Sequence, residues 1–418
     1  MSNKDALHYH AQPTPGKLEI AITKPLVDQK DLNLAYTPGI GAPCLAISKN
    51  PEDVYRYTAK GNLVAIISNG TAVLGLGDIG PEASKPVMEG KAVLMKKLAG
   101  VDAFDLEIDE KNIERLTAII KAISPTFGAI NLEDIKAPGC FELEKNLADS
   151  LSIPVMHDDQ HITAIVVAAA LKNACRLVKK ELKELRVVIN GAGAGAIASA
   201  NLLETIGVKR SNMVMFDSKG VIHKNRASLP PHKLAFATDR PVTSLAEALK
   251  DADFFLGLSV ADVLKPAHLR SMASDPIVFA LANPVPEIDP ATAWATRSDL
   301  ILGTGRSDYP NQVNNVLGFP FIFRGLLDVR ASQLNDAIKL AAIDAIANIV
   351  YNPTQKFTEE SLALAKKNLV PHALDPRLLT SVAPAVAKAA IESGVAAKGV
   401  DNWELYRQSL LARVGRAL

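Results

Sequence analysis

Short apolar runs alternate with amphipathic segments along most of this sequence, and this alternation constrains the fold more than any other feature. The first runs, Leu63–Ser68 and Ala103–Ile108, read as strands. Helical spacing follows each of them, at Ser84–Leu98 and in a segment that begins with Asp109 as a candidate N-cap. Strands that alternate with helices predict an α/β fold, in which parallel strands are joined by right-handed crossovers.

A second series of strands follows a charged connector, KKELKEL. Its members are Arg186–Asn190, Asn212–Phe216, Asp253–Leu258, Pro276–Ala282 and Leu300–Thr304. A chain of 418 residues is too long for one ordinary core. We therefore predict two domains, residues 1–160 and 161–418, and a helical extension after Asn311 that packs back onto the second domain.

Two pairs of adjacent carboxylates each follow a strand-like run. Glu133 and Asp134 end one run, and Asp158 and Asp159 end the next one along the chain. The carboxyl ends of neighbouring parallel strands meet at one sheet edge, so we expect both pairs to lie together there. Adjacent buried carboxylates need a neutralising cation, and oxygen donors suit a hard divalent ion. The pattern predicts a Mg²⁺ or Mn²⁺ site.

Two other interpretations of this stretch compete with the metal site. Acidic residues after a strand are often helix N-caps or solvated loop residues. His157 and His161 also have the i, i+4 spacing of zinc-binding helices. However, Pro154 places His157 ahead of the helix, and the segment contains neither the glutamate of an HExxH motif nor a nearby cysteine. We therefore favour oxygen ligands over zinc.

The charge balance and the cysteines indicate which partners and which compartment to expect. The formal net charge is +1 with both signs mixed, which gives no case for binding nucleic acid or a membrane surface, so we predict a small-molecule partner. Three distant cysteines without a CxxC motif indicate a reducing compartment. The N-terminal residues lack the apolar core of a secretory signal, and Ile162–Leu171 is about half as long as a membrane span of ~20 residues. We expect a cytoplasmic protein.

A glycine-rich turn joins a strand to a helix in the second series. Within RVVINGAGAGAIASA, the G-x-G-x-x-[GA] positions fall on Gly191, Gly193 and Ala196, with Ala192, Ala194 and Gly195 between them. The first glycine permits a tight turn, the second permits close approach of a pyrophosphate, and the third position permits close packing. The strand before this turn and the helix after it make a dinucleotide-binding site the favoured interpretation.

The end of the next strand bears on which dinucleotide is bound. Asp217 favours NAD, because a carboxylate there binds the ribose hydroxyls and repels a 2′-phosphate. Ser218 and Lys219 favour NADP, since a hydroxyl and an ammonium group can hold that phosphate, with Lys224, Arg226 or Lys233 in reserve. Both cofactors stay open, and these neighbours tip the prediction towards NADP.

Eight motifs together resemble the malic enzyme family in its short bacterial form. They are AYTPGIGAPC, NGTAVLGLGDIG, SKPVMEGKAVL, INLEDI, HDDQH, GAGAGA, FALANPVPE and TGRSDYPNQVNN, and they spread over essentially the whole chain. The resemblance implies an N-terminal α/β malic-type domain and a Rossmann-like NAD(P)-binding domain with C-terminal helices. It also implies oxidative decarboxylation of (S)-malate to pyruvate and CO₂, with reduction of NAD(P) and a need for Mg²⁺ or Mn²⁺.

The resemblance assigns roles to several of these acidic residues. Glu133, Asp134 and Asp159 resemble the family's metal ligands, and the charge pattern had singled out the same residues. Asp158 resembles the family's supporting carboxylate. A homo-oligomer, a dimer or a tetramer, is expected, and the amphipathic segment Trp403–Val414 is a candidate contact between copies.

The resemblance also implies four residues that act on the substrate. Lys91 corresponds to the general base and a substrate contact, Tyr36 to the general acid, and Asn283 and Asn315 to substrate amide contacts. Lysine has an ordinary pKa of about 10.4, so the site must lower the pKa of Lys91 for it to accept a proton near neutral pH.

Two positions depart from the family pattern. Ala72 stands where larger members have an arginine that grips a substrate carboxylate, and Ile162 stands where glycine is usual. Three other functions stay open. One is a malolactic enzyme, which keeps NAD bound and releases lactate. Another is a dehydrogenase for a different substrate, such as an amino acid, which would not need the metal. The third is a non-catalytic nucleotide-binding protein, because a fold does not by itself guarantee a function.

Overall fold

The computed structural model describes residues 3–73, 75–351 and 358–415. Its first sheet has four parallel strands in the order β2-β1-β3-β4. These strands are β1 Leu63–Ser68, β2 Asp102–Glu107, β3 Ala129–Leu132 and β4 Val155–His157. Because β3 and β4 are neighbours and run in the same direction, the residues that follow them share one edge of the sheet.

The second sheet has the order β10-β9-β8-β5-β6-β7. Its strands are β5 Val187–Asn190, β6 Met213–Asp217, β7 Gly220–Val221, β8 Phe254–Gly257, β9 Ile277–Ala280 and β10 Ile301–Thr304. All neighbours pair in parallel except β6 and β7, and the two-residue strand β7 was not predicted. The chain leaves β5 towards β6 and returns on its other side as β8, which makes the ends of these strands a topological switch point where α/β folds bind ligands.

Helices cover both sheets, and the predicted mixed α/β architecture is confirmed. They are α1 Asn3–Ala11, α2 Gln29–Ala35, α3 Gly41–Lys49, α4 Val54–Tyr57, α5 Pro81–Ala99, α6 Ile113–Ile123, α7 Gly139–Ala148, α8 Asp158–Val178, α9 Ala194–Thr205, α10 Pro231–Leu234, α11 Leu245–Leu249, α12 Pro266–Ser271, α13 Pro290–Thr296, α14 Phe319–Asp328, α15 Asp336–Val350, α16 Glu359–Ala365, α17 Arg377–Glu392 and α18 Trp403–Gly415.

Helix α6 begins later than the sequence predicted. The N-cap is Asn112, whose side-chain oxygen accepts a hydrogen bond from the backbone N–H of Arg115 at 3.0 Å, and it is not Asp109. Leu116 and Ile120 are buried on its inner face. The prediction failed because several polar residues precede the helix, and only the bond to the backbone N–H three residues later identifies the cap.

Helix α8 begins at the carboxyl edge of the first sheet and packs along α9 and α15. By length and composition it could cross a membrane, but 67% of its most apolar window is buried inside the structure. Ile162, the position that departs from the family pattern, is fully buried and faces Gly318. The predicted domain division after residue 160 falls in the first turn of this helix.

The C-terminal helices pack against helices of both halves of the chain. We had expected them to pack onto the second domain. Helices α14 and α18 contact α5, and α15 contacts α8. The buried Arg324 explains part of this arrangement, because it pairs with Asp328 and donates to the side chain of Asn62 at 2.6 Å. The prolines of this helical extension predict breaks at Pro353, Pro371 and Pro376. Pro371 lies between α16 and α17 and Pro376 is the N-cap of α17, whereas Pro353 lies outside the described residues.

Residues 18–45, here called the N-terminal arm, present many apolar side chains to solvent. They include Leu18, Ile20, Ile22, Leu26, Val27, Leu32, Leu34, Tyr36, Ile40 and Leu45. The arm follows Lys17, which donates through its side chain to the carbonyl of Pro86 at 2.6 Å and through its backbone to Glu89 at 3.0 Å. So much exposed apolar surface on one segment is characteristic of an interface.

Candidate active site

Three carboxylates converge where β3 and β4 end. One oxygen from each of Glu133, Asp134 and Asp159 lies within 4.8 Å of the others. Asp134 adopts the left-handed conformation with φ 53°, which turns its backbone N–H towards the side chain of Asp159 at 2.9 Å. Its carbonyl accepts a hydrogen bond from Ala72 at 2.9 Å. The two acidic pairs therefore lie at one sheet edge, as their spacing predicted.

The chemistry of this donor set fits a hard divalent cation. Three carboxylate oxygens at this spacing suit Mg²⁺ or Mn²⁺. Neither histidine belongs to the group of side chains that converge. In His157, Nε2 lies 3.3 Å from the carbonyl of Ile135 and Nδ1 lies 3.9 Å from Asp159, and the ring of His161 lies 2.9 Å from a carboxylate oxygen of Glu144. This arrangement does not support the zinc alternative.

Lys91, on α5, reaches into the acidic cluster. Its Nζ lies 3.0 Å from Glu133 and 2.5 Å from Asp158, and 4.5 Å from the centroid of the Phe319 ring. Burial opposes its charge, but Asp158, Glu133 and Asp159 outweigh burial and hold the pKa of Lys91 above its ordinary value. We had expected a lowered pKa. The difference arises because three carboxylates surround this one ammonium group.

Crowding of the carboxylates raises the pKa values of two of them. Burial, together with the negative charge of Asp158, Asp159 and Asp134, raises the pKa of Glu133 well above its ordinary value against the opposing charge of Lys91. Burial and the charge of Asp159 likewise raise the pKa of Asp158. The cluster is therefore short of positive charge, which a bound cation would supply.

Asn315 joins the cluster from the second half of the chain. Its side-chain amide donates to Asp158 at 2.8 Å, and its amide oxygen accepts from the hydroxyl of Thr163 at 3.0 Å. Asn283 is exposed on the loop after β9, where its carbonyl faces Gly75, and a Cβ added at Gly75 would lie 2.2 Å from it. Of the two predicted substrate amides, Asn315 alone hydrogen-bonds to the cluster within the described residues.

Tyr36 is not brought to the cluster by its own chain. It lies on the N-terminal arm with 66% of its surface exposed. Its hydroxyl makes no hydrogen bond to any of the residues that the structure describes. The sequence places this tyrosine in a motif, but it does not indicate the position of the exposed N-terminal arm relative to the acidic cluster.

The glycine-rich turn lies directly beside the acidic cluster. Gly191 has φ +127°, and a Cβ there would lie 2.3 Å from the carbonyl oxygen of Leu258. Gly193 is the N-cap of α9, and Ala194 begins the helix. A Cβ at Gly195 would lie 3.0 Å from the carbonyl oxygen of Asp159, so this glycine permits α9 to approach α8. Two motifs that are far apart in sequence therefore form one site.

The carboxylate of Asp217, at the end of β6, forms ion pairs with two basic side chains. Arg226 donates to both oxygens of Asp217, at 2.9 and 3.2 Å, and Lys233 donates at 2.8 Å. Burial opposes ionisation, but the bonds from Arg226 and Lys233 outweigh it and hold the pKa of Asp217 at about 2. Ser218 and Lys219 are exposed beside it. This corner therefore carries a net positive charge.

Comparison with known protein families identifies the chain. The family description "Malic enzyme, N-terminal domain" matches residues 15–118, and "Malic enzyme, NAD binding domain" matches residues 161–390. The chain belongs to the malic enzyme family. This confirms the family and the fold that the eight motifs predicted.

Individual malic enzymes resemble this chain over nearly all of its length. An NAD-dependent malic enzyme of Rhizobium meliloti is 52% identical over 98% of this chain, which covers 54% of that protein. An NADP-dependent malic enzyme of Halomonas elongata is 50% identical and covers 94% of each. The crystal structure of a Pyrococcus horikoshii malic enzyme has 42% identity and a TM-score of 0.90, and covers 99% of this chain and 96% of that one. The chain spans about half the length of several relatives.

Some residues around the acidic cluster were not predicted from the sequence. Glu144 on α7 is a partly buried carboxylate that accepts from the backbone of His157 at 2.7 Å and pairs with His161. Burial opposes its charge, but His161 outweighs burial and lowers the pKa of Glu144. Phe319 covers Lys91 from α14. No local pattern marks these residues, because each meets the site through tertiary packing.

Proposed function

We propose that this chain oxidatively decarboxylates (S)-malate to pyruvate and CO₂ and reduces NADP⁺. The observation that carries the proposal is Lys91, held between Glu133 and Asp158 beside the glycine-rich turn. A proton acceptor, a donor set for a divalent ion and a dinucleotide site are what removal of hydride from a 2-hydroxy acid requires. Residues 1–160 and 161–418 are the domains that supply them.

The ligand set proposed for Mg²⁺ or Mn²⁺ is Glu133, Asp134 and Asp159. When bound, the ion would polarise the C2 oxygen of malate and stabilise the negative charge left by departing CO₂, while the nicotinamide would accept the C2 hydride. Lys91 takes the hydroxyl proton. The surrounding carboxylates raise its pKa, and a divalent cation bound by the same carboxylates would lower that pKa towards the range a base needs.

Positions around Lys91 would orient the base and the substrate. Asp158 accepts from both Lys91 and Asn315, so it fixes the two donors relative to each other. Asn315 and Asn283 are the proposed amide contacts to substrate carboxylates. Tyr36 is the proposed acid that protonates C3 of the enolate to give pyruvate. A cytoplasmic location remains a prediction.

A direct assay tests the reaction. Purified chain, (S)-malate and Mn²⁺ should produce equimolar pyruvate and reduced nicotinamide, and exhaustive chelation should stop the reaction. Production of lactate without net reduction of nicotinamide would indicate a malolactic enzyme instead. Cofactor binding without turnover of malate would support the non-catalytic alternative and refute the proposal.

We infer that Arg226 and Lys233 bind the 2′-phosphate of NADP⁺. Asp217 forms ion pairs with both cations and holds them in place. Their two positive charges outweigh its one negative charge, so the group as a whole attracts a phosphate. Arg226→Ala should raise KM for NADP⁺ by about 10- to 100-fold, the effect of one charge-assisted hydrogen bond, and should change KM for NAD⁺ little. Steady-state kinetics with both nucleotides measures this difference.

Lys224→Ala is the matched control for that variant. Lys224 lies in the same loop but pairs with Asp239 at 2.8 Å and is mostly exposed. It should leave both KM values within about twofold, as expected when an exposed ion pair is removed. Equal losses for NAD⁺ and NADP⁺ in Arg226→Ala would contradict the assignment to the 2′-phosphate.

We infer that a second copy of this chain covers the N-terminal arm. The arm exposes apolar side chains such as Ile20 (83%), Ile22 (81%) and Val27 (87%), more than a monomer ordinarily presents on one segment. Tyr36 lies on the same arm, so assembly would also determine which acidic cluster it meets. This surface supports a homo-oligomer better than α18 does, because Tyr406 and Leu410 of α18 pack inside the chain.

The double variant Ile20→Asp/Val27→Asp should be a monomer where the wild type is a dimer or tetramer. Two charges in an apolar interface are unfavourable to bury and are tolerated on a free surface. Light scattering after gel filtration measures the mass. Leu374→Asp, at an exposed leucine elsewhere, is the control and should keep the assembly. A monomeric wild type at high concentration would refute the inference.

A further inference from the structure

A buried carboxylate outside the acidic cluster joins the loops that follow β8 and β9. Glu287 is fully buried. Its Oε1 accepts from the backbone N–H and the hydroxyl of Ser259, at 3.0 and 3.2 Å, and its Oε2 accepts from the backbone N–H of Ala282 at 3.0 Å. Among the described residues it forms no ion pair, although an isolated buried carboxylate is costly.

The surroundings of Glu287 are built to receive this side chain. A Cβ added at Gly257 would lie 2.4 Å from the carboxylate carbon of Glu287, so the missing side chain at Gly257 makes the space. Three donors converge on the two oxygens. A glutamine in this place would turn an NH₂ group towards one of those donors, because an amide has only one oxygen to accept with. The position therefore calls for a carboxylate.

Hydrogen bonds continue from Glu287 to the glycine-rich turn. The hydroxyl of Ser259 also accepts from the side chain of Asn190 at 2.7 Å, and Asn190 immediately precedes Gly191. The backbone of Gly191 in turn lies against the carbonyl of Leu258. One end of the network is therefore the proposed pyrophosphate turn.

The other end of the network is the proposed substrate loop. Ala282, held by Glu287, immediately precedes Asn283, whose carbonyl lies against Gly75 of the first half of the chain. Strands β5, β8 and β9 are adjacent in the sheet, so the network crosses three strand ends at the switch point. A shift of the turn on nucleotide binding can reach Asn283 through these contacts.

We propose that Glu287 is a positioning residue that couples nucleotide binding at the Gly191 turn to substrate binding at Asn283. The inference rests on the proposed function, and it adds an energetic link between the two halves of the site. Coupling of this kind appears as a reciprocal change in affinity, typically about 5- to 150-fold between two sites. Removing the link should leave both ligands able to bind but independent of each other.

Calorimetric titration measures this coupling without turnover. The affinity for NADP⁺ is measured with Mn²⁺ in the absence and presence of saturating tartronate, a hydroxydicarboxylate that lacks a C3 methylene. The wild type should bind NADP⁺ at least about fivefold more tightly with tartronate. Glu287→Gln should reduce that ratio to about twofold or less, and Ser259→Ala, which retains the carboxylate, should reduce it partly.

Asp253→Asn is the matched control. Asp253 joins β5 and β8 at their opposite ends, where it accepts from the backbone of Arg186 at 2.9 Å and pairs with Lys180 at 2.8 Å. This variant should be destabilised but should keep the wild-type coupling ratio. A loss of thermal stability in Glu287→Gln or Ser259→Ala with unchanged coupling would overturn the proposal and leave a purely structural role.

The outcome of this experiment is separable from that of the proposed reaction. A wild type that couples the two ligands but does not turn over malate would refute the proposed function and support the link. A wild type that turns over malate but binds NADP⁺ equally well with and without tartronate would support the proposed function and refute the link. Absence of NADP⁺ binding to the wild type would overturn both.

Discussion

We expect Lys91→Ala to lower kcat for malate oxidation by about 10²- to 10⁴-fold, the usual effect of removing a general base. The same change removes the ammonium group that lies between Glu133 and Asp158. Removing one partner of a buried ion pair typically costs about 3–5 kcal/mol, so the free energy of unfolding in chelator should fall by a similar amount. Mn²⁺ should recover part of this loss, because a cation again faces the carboxylates.

Two measurements separate the roles of Lys91. Steady-state kinetics reports the loss of kcat, and denaturant unfolding with and without Mn²⁺ reports the loss of stability. Lys85→Ala is the control, because Lys85 lies on the same helix and pairs with Asp105 but is about half exposed at 48%. It should change kcat less than about twofold. Near-wild-type kcat in Lys91→Ala would assign proton abstraction to another group.

Asp159→Asn should abolish the stabilisation that divalent ions give and reduce malate oxidation by at least about 100-fold. Its amide oxygen can still accept from the N–H of Asp134, so the local backbone has no reason to change. A ligand that binds only the folded state stabilises it by about 2.7 kcal/mol at a concentration 100 times its dissociation constant. The wild type should show a gain of this order with Mn²⁺, and the variant should show none.

The effect on stability in chelator provides an independent check on Asp159→Asn. Without metal, the charge of Asp159 repels Glu133 and Asp158 and raises the pKa of both, but it also attracts Lys91 and raises the pKa of that ammonium group, so neutralising it should change the stability in chelator little. Asp149→Asn, at an exposed carboxylate that ends α7, should keep the full response to Mn²⁺. An unchanged metal response in Asp159→Asn would remove this residue from the ligand set.

The sequence was sufficient for features that repeat or that depend on neighbours along the chain. Apart from the two-residue β7, the strands of both sheets were predicted to within about two residues, because apolar runs and crossover helices have a regular pattern. Glu133, Asp134 and Asp159 were found because parallel strands bring their carboxyl ends together. The N-cap of α6 was misplaced because Asp109 and Asn112 are both acceptable caps, and only backbone geometry distinguishes them.

Features that depend on distant contacts were not predictable. The pKa of Lys91 is raised by carboxylates 42 and 67 positions further along the chain, and their number around one ammonium group follows from how α5 meets α8. Glu287 belongs to a motif in the sequence, but nothing there indicates that it bonds to Ser259. Tyr36 was assigned by resemblance, whereas its exposure could be seen only in the folded chain.

The proposed metal ligands all lie where the first sheet passes into α8. Glu133 and Asp134 follow β3, whereas Asp159 lies in the first turn of α8, which follows β4 and packs along α9 and α15. An ion held by all three would fix the start of α8 against the end of β3. The backbone amides in this turn should therefore exchange hydrogen more slowly when Mn²⁺ is bound than in chelator.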